Sequence, residues 1–283
     1  MVQRIYNVSF KNLGIELKIN PIALNLGNIK IYWYGIIIAL GFICAYTYVL
    51  SNAKKFNLNK EKLSISVLTG MIFGLIGARL YYVIFYPGNT YINDPMKIFY
   101  INQGGIAIYG GLIFGIISGL LMAKRKNLNL LSTLDICSLG LLIGQSIGRW
   151  GNFFNQEAFG STTDSIFAMS SEATFGESVH PCFLYESFWC LLGFIFLHIF
   201  KDNYKQYKGQ IFLIYLLWYG VGRIIIEKFR TDSLFIWGSD IKISQLISFI
   251  VIILSIVFLL FIRRKTKKIL NQKNRGEYKG GIF

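Results

Sequence analysis

The sequence predicts an all-α integral membrane protein that crosses the bilayer about seven times. The 283 residues are 54% hydrophobic and only 15% charged, whereas soluble domains carry about a quarter charged residues. Apolar runs of about 18–24 residues recur along the chain, and each is long enough to cross roughly 30 Å of hydrocarbon as a helix. The predicted spans are residues 31–50, 63–86, 106–123, 131–148, 182–200, 210–228 and 241–262.

The segments outside these spans are short, which predicts a single transmembrane domain over residues 1–262. A small N-terminal arm precedes the first span, and its Gly27-Asn28 turn signal predicts a hairpin over Ile22–Ile31. The arm's first twenty residues lack the apolar core of a cleavable signal peptide. An outer loop region is predicted between the fourth and fifth spans, and residues 263–283 form a basic tail.

The net charge of +15 is distributed as in a membrane protein rather than a nucleic-acid-binding protein. Segments 51–62, 124–130, 201–209 and 263–283 hold 18 lysines and arginines, whereas the intervening segments hold 7. Positive residues are enriched in cytoplasmic loops. The pattern therefore predicts an outer N-terminus, a cytoplasmic C-terminal tail and no nucleic-acid partner. The charges of the tail are explained better by a stop-transfer and orientation signal than by a contact with anionic headgroups.

Glycines recur every third or fourth residue in three of the spans, which predicts close helix packing in the membrane. The residues are Gly70, Gly74 and Gly77; Gly111, Gly115 and Gly119; and Gly140, Gly144 and Gly148. By contrast, the four cysteines and two histidines show no metal-ligand spacing. We therefore predict no metal, no disulfide and no cofactor.

Charged and phenolic side chains lie near the outer ends of several spans, where they are candidates for function because charge in a membrane is costly. They are Tyr34, Arg79, Tyr109, Arg149, Arg223 and Glu227. Arginine forms bidentate bonds to phosphate and stays charged when buried. The set predicts an anionic substrate at the outer leaflet.

Each arginine also has a structural explanation. Snorkelling or an ion pair explains Arg79 as well as a phosphate contact does. Arg223 and Glu227 are four residues apart on one helix, so they can pair with each other, and Arg230 could share Glu227.

Residues 148–160 form the most specific motif in the chain, with the sequence Gly-Arg-Trp-Gly-Asn-Phe-Phe-Asn-Gln-Glu-Ala-Phe-Gly. This segment resembles the signature of prolipoprotein diacylglyceryl transferases, G-R-x-G-N-F-x-N-x-E-x-x-G. All eight specified positions match, which has a chance probability on the order of 10⁻¹⁰ per window. Further blocks resemble the same family at residues 20–24, 32–35, 77–82, 108–112, 180–186 and 219–230.

The resemblance implies that the chain transfers the diacylglyceryl group of phosphatidylglycerol to the lipobox cysteine of a prolipoprotein signal peptide. The products would be a thioether-linked lipid and glycerol phosphate. It also implies a site near the outer leaflet of the bacterial cytoplasmic membrane, in contact with membrane lipids. The nucleophile belongs to the substrate, so the enzyme needs no nucleophile of its own.

When the family's roles are carried over by position, the resemblance implies that Arg149 binds the headgroup phosphate of phosphatidylglycerol. Asn152 and the Gly160 backbone would assist it. Tyr34 adds a hydroxyl to the same lipid. Arg223 would stabilise the leaving phosphate or the thiolate. The remaining residues have supporting roles: Glu227 and Tyr219 orient Arg223, Glu157 fixes the loop around Arg149, and Asn155 and His180 are structural, with His180 capping a helix.

Tyr109 departs from the family pattern, since many relatives have histidine at this position. That histidine has been favoured as the base that takes the thiol proton. Tyrosine, with an unperturbed pKa near 10, is a poor base at neutral pH. Either Tyr109 orients a group, or the base lies elsewhere.

A lipid or ion transporter is the main alternative, since glycine-rich spans with interior arginines would suit one. Many transporters have internal repeats and bind their substrate near the midplane of the membrane. This sequence shows no internal repeat, and its charged residues gather at one face of the membrane instead.

Overall fold

The computed structural model of the protein describes residues 5–27, 29–88, 90–100, 104–236, 239 and 241–274, and only the backbone at residues 29 and 265–274. Helices dominate the described part of the chain. They are α1 (Trp33–Ser51), α2 (Lys60–Phe85), the one-turn α3 (Thr90–Asn93), α4 (Ile108–Arg125), α5 (Leu130–Asn155), α6 (Cys182–Asn203), α7 (Gln210–Glu227) and α8 (Ile243–Asn274).

Seven of these helices are long and apolar enough to cross a membrane: α1, α2, α4, α5, α6, α7 and the Ile243–Arg264 part of α8. The chain is thus an all-α integral membrane protein of about seven spans, as predicted. One boundary matters for the site. The fourth span was predicted to end at residue 148, but α5 continues to Asn155. The prediction that a loop surrounds Arg149 is therefore wrong, because Arg149 lies inside α5.

Two antiparallel hairpins precede α1. Strands β1 (Tyr6–Phe10) and β2 (Ile15–Ile19) form the first, and β3 (Ile22–Leu26) and β4 (Ile29–Tyr32) form the second. The second confirms the hairpin predicted over Ile22–Ile31, although Asn28 at its turn lies outside the described residues. Since β4 runs to Tyr32, the first span begins at Trp33 and not at residue 31.

The chain divides into two compact units, Tyr46–Ile136 and Met1–Ala45 with Cys137–Phe283. In the first unit, α2 packs on α4 through glycine. A Cβ atom on Gly70 would lie 3.0 Å from the Gly115 carbonyl oxygen, and one on Gly74 would lie 3.2 Å from that of Gly111. Two of the three glycine stripes thus serve the close helix packing expected of them.

In the second unit, α6 and α7 are joined by a pair of tryptophans. The Trp189 and Trp218 rings stack with centroids 4.7 Å apart, and each indole N–H donates to the other residue's carbonyl at 3.0 Å. Each ring also lies over a glycine of the opposite helix, Gly222 under Trp189 and Gly193 under Trp218. These contacts fix the register of α6 against α7, the two helices that carry most of the candidate site.

The N-terminal hairpin is anchored to the segment between α5 and α6. Ser9 and Ser170 exchange two backbone hydrogen bonds of 2.9 Å. A small apolar core lies beneath them, formed by Val8, Phe10, Ile19, Phe153, Met169, Val179 and Phe183. At its edge, the Glu172 carboxylate accepts bonds from the Asn7 backbone and side chain, which lower the pKa of that carboxyl. This core holds the end of α5 that bears the signature motif.

Candidate functional site

Three arginines from three parts of the second unit converge on one carboxylate. Arg149 lies on α5, Arg223 on α7 and Arg230 just after α7, and all three pair with Glu186 of α6. Arg223 Nη1 is 2.7 Å from Glu186 Oε1, and Arg230 Nη1 is 3.3 Å from the same oxygen. Arg149 Nη2 pairs with the other oxygen, Oε2. The cluster therefore brings three guanidinium groups together in a mostly buried place, and guanidinium groups bind phosphate well.

Two of the arginines have a second carboxylate. Arg223 Nη2 is 2.8 Å from Glu227 Oε2, which confirms the predicted pairing along α7. Arg230 instead donates to Asp232 at 2.9 and 2.7 Å. Arg230 also lies within electrostatic range of Glu227, as expected, but its direct partners are Glu186 and Asp232, because the chain turns after α7.

The ionisation of the Arg230–Asp232 pair follows from this contact. Burial would raise the pKa of the Asp232 carboxyl, but the hydrogen bonds from Arg230 outweigh burial and hold that pKa below its usual range. Burial would likewise lower the pKa of Arg230, but Asp232 and Glu186 hold it above its usual value. Both groups are therefore charged at neutral pH.

The signature motif supports Arg149 from the end of α5. Arg149 Nη1 lies 3.5 Å from Asn152 Oδ1, at the outer limit of hydrogen bonding. Asn152 in turn donates to Glu157 Oε1 at 2.9 Å, and Asn155 donates to the same oxygen at 3.4 Å. Glu157 thus acts on Arg149 through Asn152.

Tyr34 and Gly151 lie against each other. A Cβ atom on Gly151 would lie 2.7 Å from Tyr34 Cδ2, so only glycine leaves room for the ring there. The motif's second glycine therefore places the first turn of α1 against the end of α5. Tyr219 of α7 lies within electrostatic range of Arg149, Glu186 and Arg223.

The Gly160 backbone and the His180 side chain make contacts other than a phosphate contact and a helix cap. The Gly160 N–H donates to the His180 carbonyl at 2.8 Å, so it is already engaged. His180 does not cap α6 with its side chain, because Pro181 holds the N-cap position. The His180 ring instead lies 3.2 Å from the Tyr185 hydroxyl, and burial lowers the pKa of its imidazole.

Arg79 and Tyr109 belong to the other unit. The Arg79 guanidinium donates to five backbone carbonyls, those of Lys97, Ile98, Tyr100, Gly104 and Gly105, at 2.6–3.4 Å. All five of its N–H groups are thus engaged within the segment after α2. Tyr109 is the second residue of α4 and is 39% exposed.

Sequence reasoning missed Glu186, the centre of the cluster. The residue stands in the block 180–186 that resembles the family, and it is an acid inside an apolar span, which is itself a signal for function. Its partners are 37 and 44 residues away along the chain. No local spacing rule could therefore have connected it with Arg223 and Arg230.

A cavity of about 430 Å³ lies at the other end of α6 and α7, lined by Asn203, Gln206, Gln210 and Arg263 among others. None of the residues predicted for the site lines it, so we place the site at the arginine cluster. Within the described residues, no three His, Cys, Asp or Glu side chains come together as a metal site would need.

Comparison with known proteins gives consistent matches. The family model described as "Prolipoprotein diacylglyceryl transferase" matches residues 21–261. Relatives named "Phosphatidylglycerol–prolipoprotein diacylglyceryl transferase" from Staphylococcus saprophyticus subsp. saprophyticus, Staphylococcus xylosus and Staphylococcus aureus (strain MSSA476) are each 40% identical over 257 residues. These alignments cover 87% of this chain and 91%, 91% and 90% of the three relatives.

Proposed function

The chain belongs to the prolipoprotein diacylglyceryl transferase family, and from its site we propose how it transfers the diacylglyceryl group of phosphatidylglycerol to a prolipoprotein. It is a multi-pass membrane transferase that acts in the first step of lipoprotein maturation. The observation that carries the mechanism is the convergence of Arg149, Arg223 and Arg230 on Glu186 at one end of the spans.

The reaction joins the sulfur of the lipobox cysteine to a glyceryl carbon. The thiol gives up its proton, which ends in solvent, its sulfur attacks that carbon, and the bond from the carbon to the phosphate oxygen breaks. The electron pair leaves with glycerol phosphate, and the lipid remains on sulfur as a thioether. The enzyme must therefore bind the phosphate, stabilise its growing charge, and align the two reacting groups.

We assign the phosphate to Arg149, whose side chain is the most exposed of the three arginines at 22%, against 18% for Arg223 and 11% for Arg230. Asn152 and Glu157 hold that guanidinium in place. Tyr34 contributes a hydroxyl from the start of α1. Gly160 acts through close packing, since its N–H is engaged by His180.

Arg223 stabilises the leaving phosphate or the thiolate, and it can do so because Glu227 and Glu186 fix its fork from two sides. Tyr219 lies within electrostatic range of the same guanidinium. We assign Arg79 to the organisation of the segment after α2, because backbone carbonyls occupy its five donors.

The decisive experiment uses purified protein, labelled phosphatidylglycerol and a peptide with a lipobox cysteine. Appearance of lipidated peptide and of glycerol phosphate is expected. A matched peptide with serine in place of cysteine is the control, and it should stay unmodified. Movement of phosphatidylglycerol between leaflets without any peptide product would instead support the transporter alternative.

We propose that the arginine cluster faces outward and that the loop after α4 faces the cytoplasm, as the distribution of positive residues requires. In intact cells, a membrane-impermeant maleimide should label Asp164→Cys and should not label Lys124→Cys. Both native side chains are exposed. The four native cysteines are buried or half-buried, so the unchanged protein is the control. Labelling of Lys124→Cys alone would invert the topology.

Tyr109→Phe is expected to keep measurable transfer, because a tyrosine hydroxyl is a poor base at neutral pH. Loss of one neutral hydrogen bond lowers a rate by about tenfold or less. Turnover of the lipobox peptide measures the effect, and Tyr204→Phe, at an exposed position at the end of α6, is the matched control. Complete loss of turnover in folded Tyr109→Phe would show that the hydroxyl is required for chemistry.

A further inference from the structure

We propose that Glu186 is a positioning residue that holds Arg149 in the unloaded site and gives that guanidinium up to the phosphate of the lipid. Arg223 and Arg230 stay paired during this exchange. The inference rests on the proposed function and explains how the same site accepts an anionic lipid.

The two oxygens of Glu186 have separate tasks. Oε2 pairs with Arg149, whereas Oε1 accepts from Arg223 at 2.7 Å and from Arg230 at 3.3 Å. Release of Arg149 therefore frees one oxygen and leaves the other two ion pairs intact. A single carboxylate can thus change partners at one side without losing its place on α6.

The second carboxylates show which arginine is able to exchange. Arg223 also pairs with Glu227, and Arg230 also pairs with Asp232. Among the described residues, the other hydrogen bond of the Arg149 guanidinium is to the neutral amide of Asn152, at 3.5 Å. Of the three arginines, Arg149 is therefore the one that has no second carboxylate partner among the described residues.

Charge balance explains why an exchange is needed. The three arginines face three acids, Glu186, Glu227 and Asp232, so the cluster is close to neutral within a mostly buried region. A phosphodiester adds one negative charge. It must then compete with Glu186 for Arg149, and the carboxylate acts as a stand-in for the lipid phosphate.

Glu186→Gln tests this competition, because the amide keeps the shape of the side chain and removes its charge. Binding of phosphatidylglycerol, measured without peptide acceptor so that no turnover occurs, should tighten by about fivefold or more as the competing anion is lost. Peptide turnover at saturating lipid should fall at least about tenfold, because Arg223 and Arg230 lose their shared anchor. A residue that only stabilised the fold would not tighten lipid binding.

Three comparisons make the result specific. Glu177→Gln, an exposed acid outside the cluster, should leave both values unchanged. Diacylglycerol, which has no phosphate, should bind Glu186→Gln and the unchanged protein equally well. Glu186→Asp, which keeps the charge, should bring lipid binding back toward that of the unchanged protein.

Weaker or unchanged phosphatidylglycerol binding by folded Glu186→Gln would overturn the proposal. If this variant fails to fold, the double variant with Arg230→Gln restores the charge balance and should still bind the lipid more tightly. Failure of both variants to fold would also overturn it, because Glu186 would then be a requirement of the fold rather than a positioning residue of the site. Transfer by the unchanged protein in the same assay separates these outcomes from failure of the proposed function.

Discussion

Arg149→Lys is expected to lower diacylglyceryl transfer by about 10²–10³, although the substitution keeps the positive charge. Loss of a positioned donor to developing charge costs about 2.7–4 kcal/mol. Lysine is a compact point charge and cannot reproduce the planar fork that contacts Glu186 on one side and Asn152 on the other. Turnover of a lipobox peptide by purified protein is the measurement.

Arg125→Lys, at an exposed position in the last turn of α4, is the matched control and should transfer normally. The amount of protein and its orientation in the membrane must be compared in the same preparation, so that misinsertion is not taken for lost chemistry. Near-normal transfer by Arg149→Lys would reject the bidentate role and leave Arg223 as the principal phosphate ligand.

Gly160→Ala is expected to have the second large effect. The added Cβ atom would lie 2.8 Å from the Phe229 carbonyl oxygen, 2.8 Å from His180 Cβ and 2.9 Å from Cys182 Sγ. A carbonyl of the backbone cannot move aside cheaply, so we expect a loss of stability of about 1–3 kcal/mol. Displacement of the adjoining Arg230 by a fraction of an ångström should also lower transfer by about 10- to 100-fold.

Thermal unfolding and peptide turnover, measured together on the same sample, test this expectation. Gly119→Ala is the matched control, because its added atom would meet its nearest neighbours at an ordinary 3.6 Å. A Gly160→Ala protein with unchanged melting temperature and unchanged turnover would show that the motif's last glycine is not needed for close packing.

The sequence predicted the spans better than their ends. Hydropathy detects an apolar run, but α5 continues past it through Arg149 and Asn152, whose polar side chains still permit helix. The helix stops at Gln156, which has a left-handed φ of 50°. That stop is a property of the backbone and leaves no trace in an apolar pattern.

The candidate site was predictable where its contacts are local. The pairing of Arg223 with Glu227 follows from their spacing of four on one helix. The pairing of Arg223 and Arg230 with Glu186 depends on how α6 packs on α7, which no spacing in the chain encodes. His180 was misjudged for a similar reason, since a position before proline suggests a cap but says nothing of the Tyr185 hydroxyl that the ring meets.

The stacked indoles of Trp189 and Trp218 have a spectroscopic consequence. Two such chromophores with centroids 4.7 Å apart and planes inclined by 25° couple their electronic transitions. They should produce an exciton couplet in ultraviolet circular dichroism. Because the pair joins α6 to α7, this signal would report the alignment of Glu186 with Arg223 in solution, without a label and without substrate.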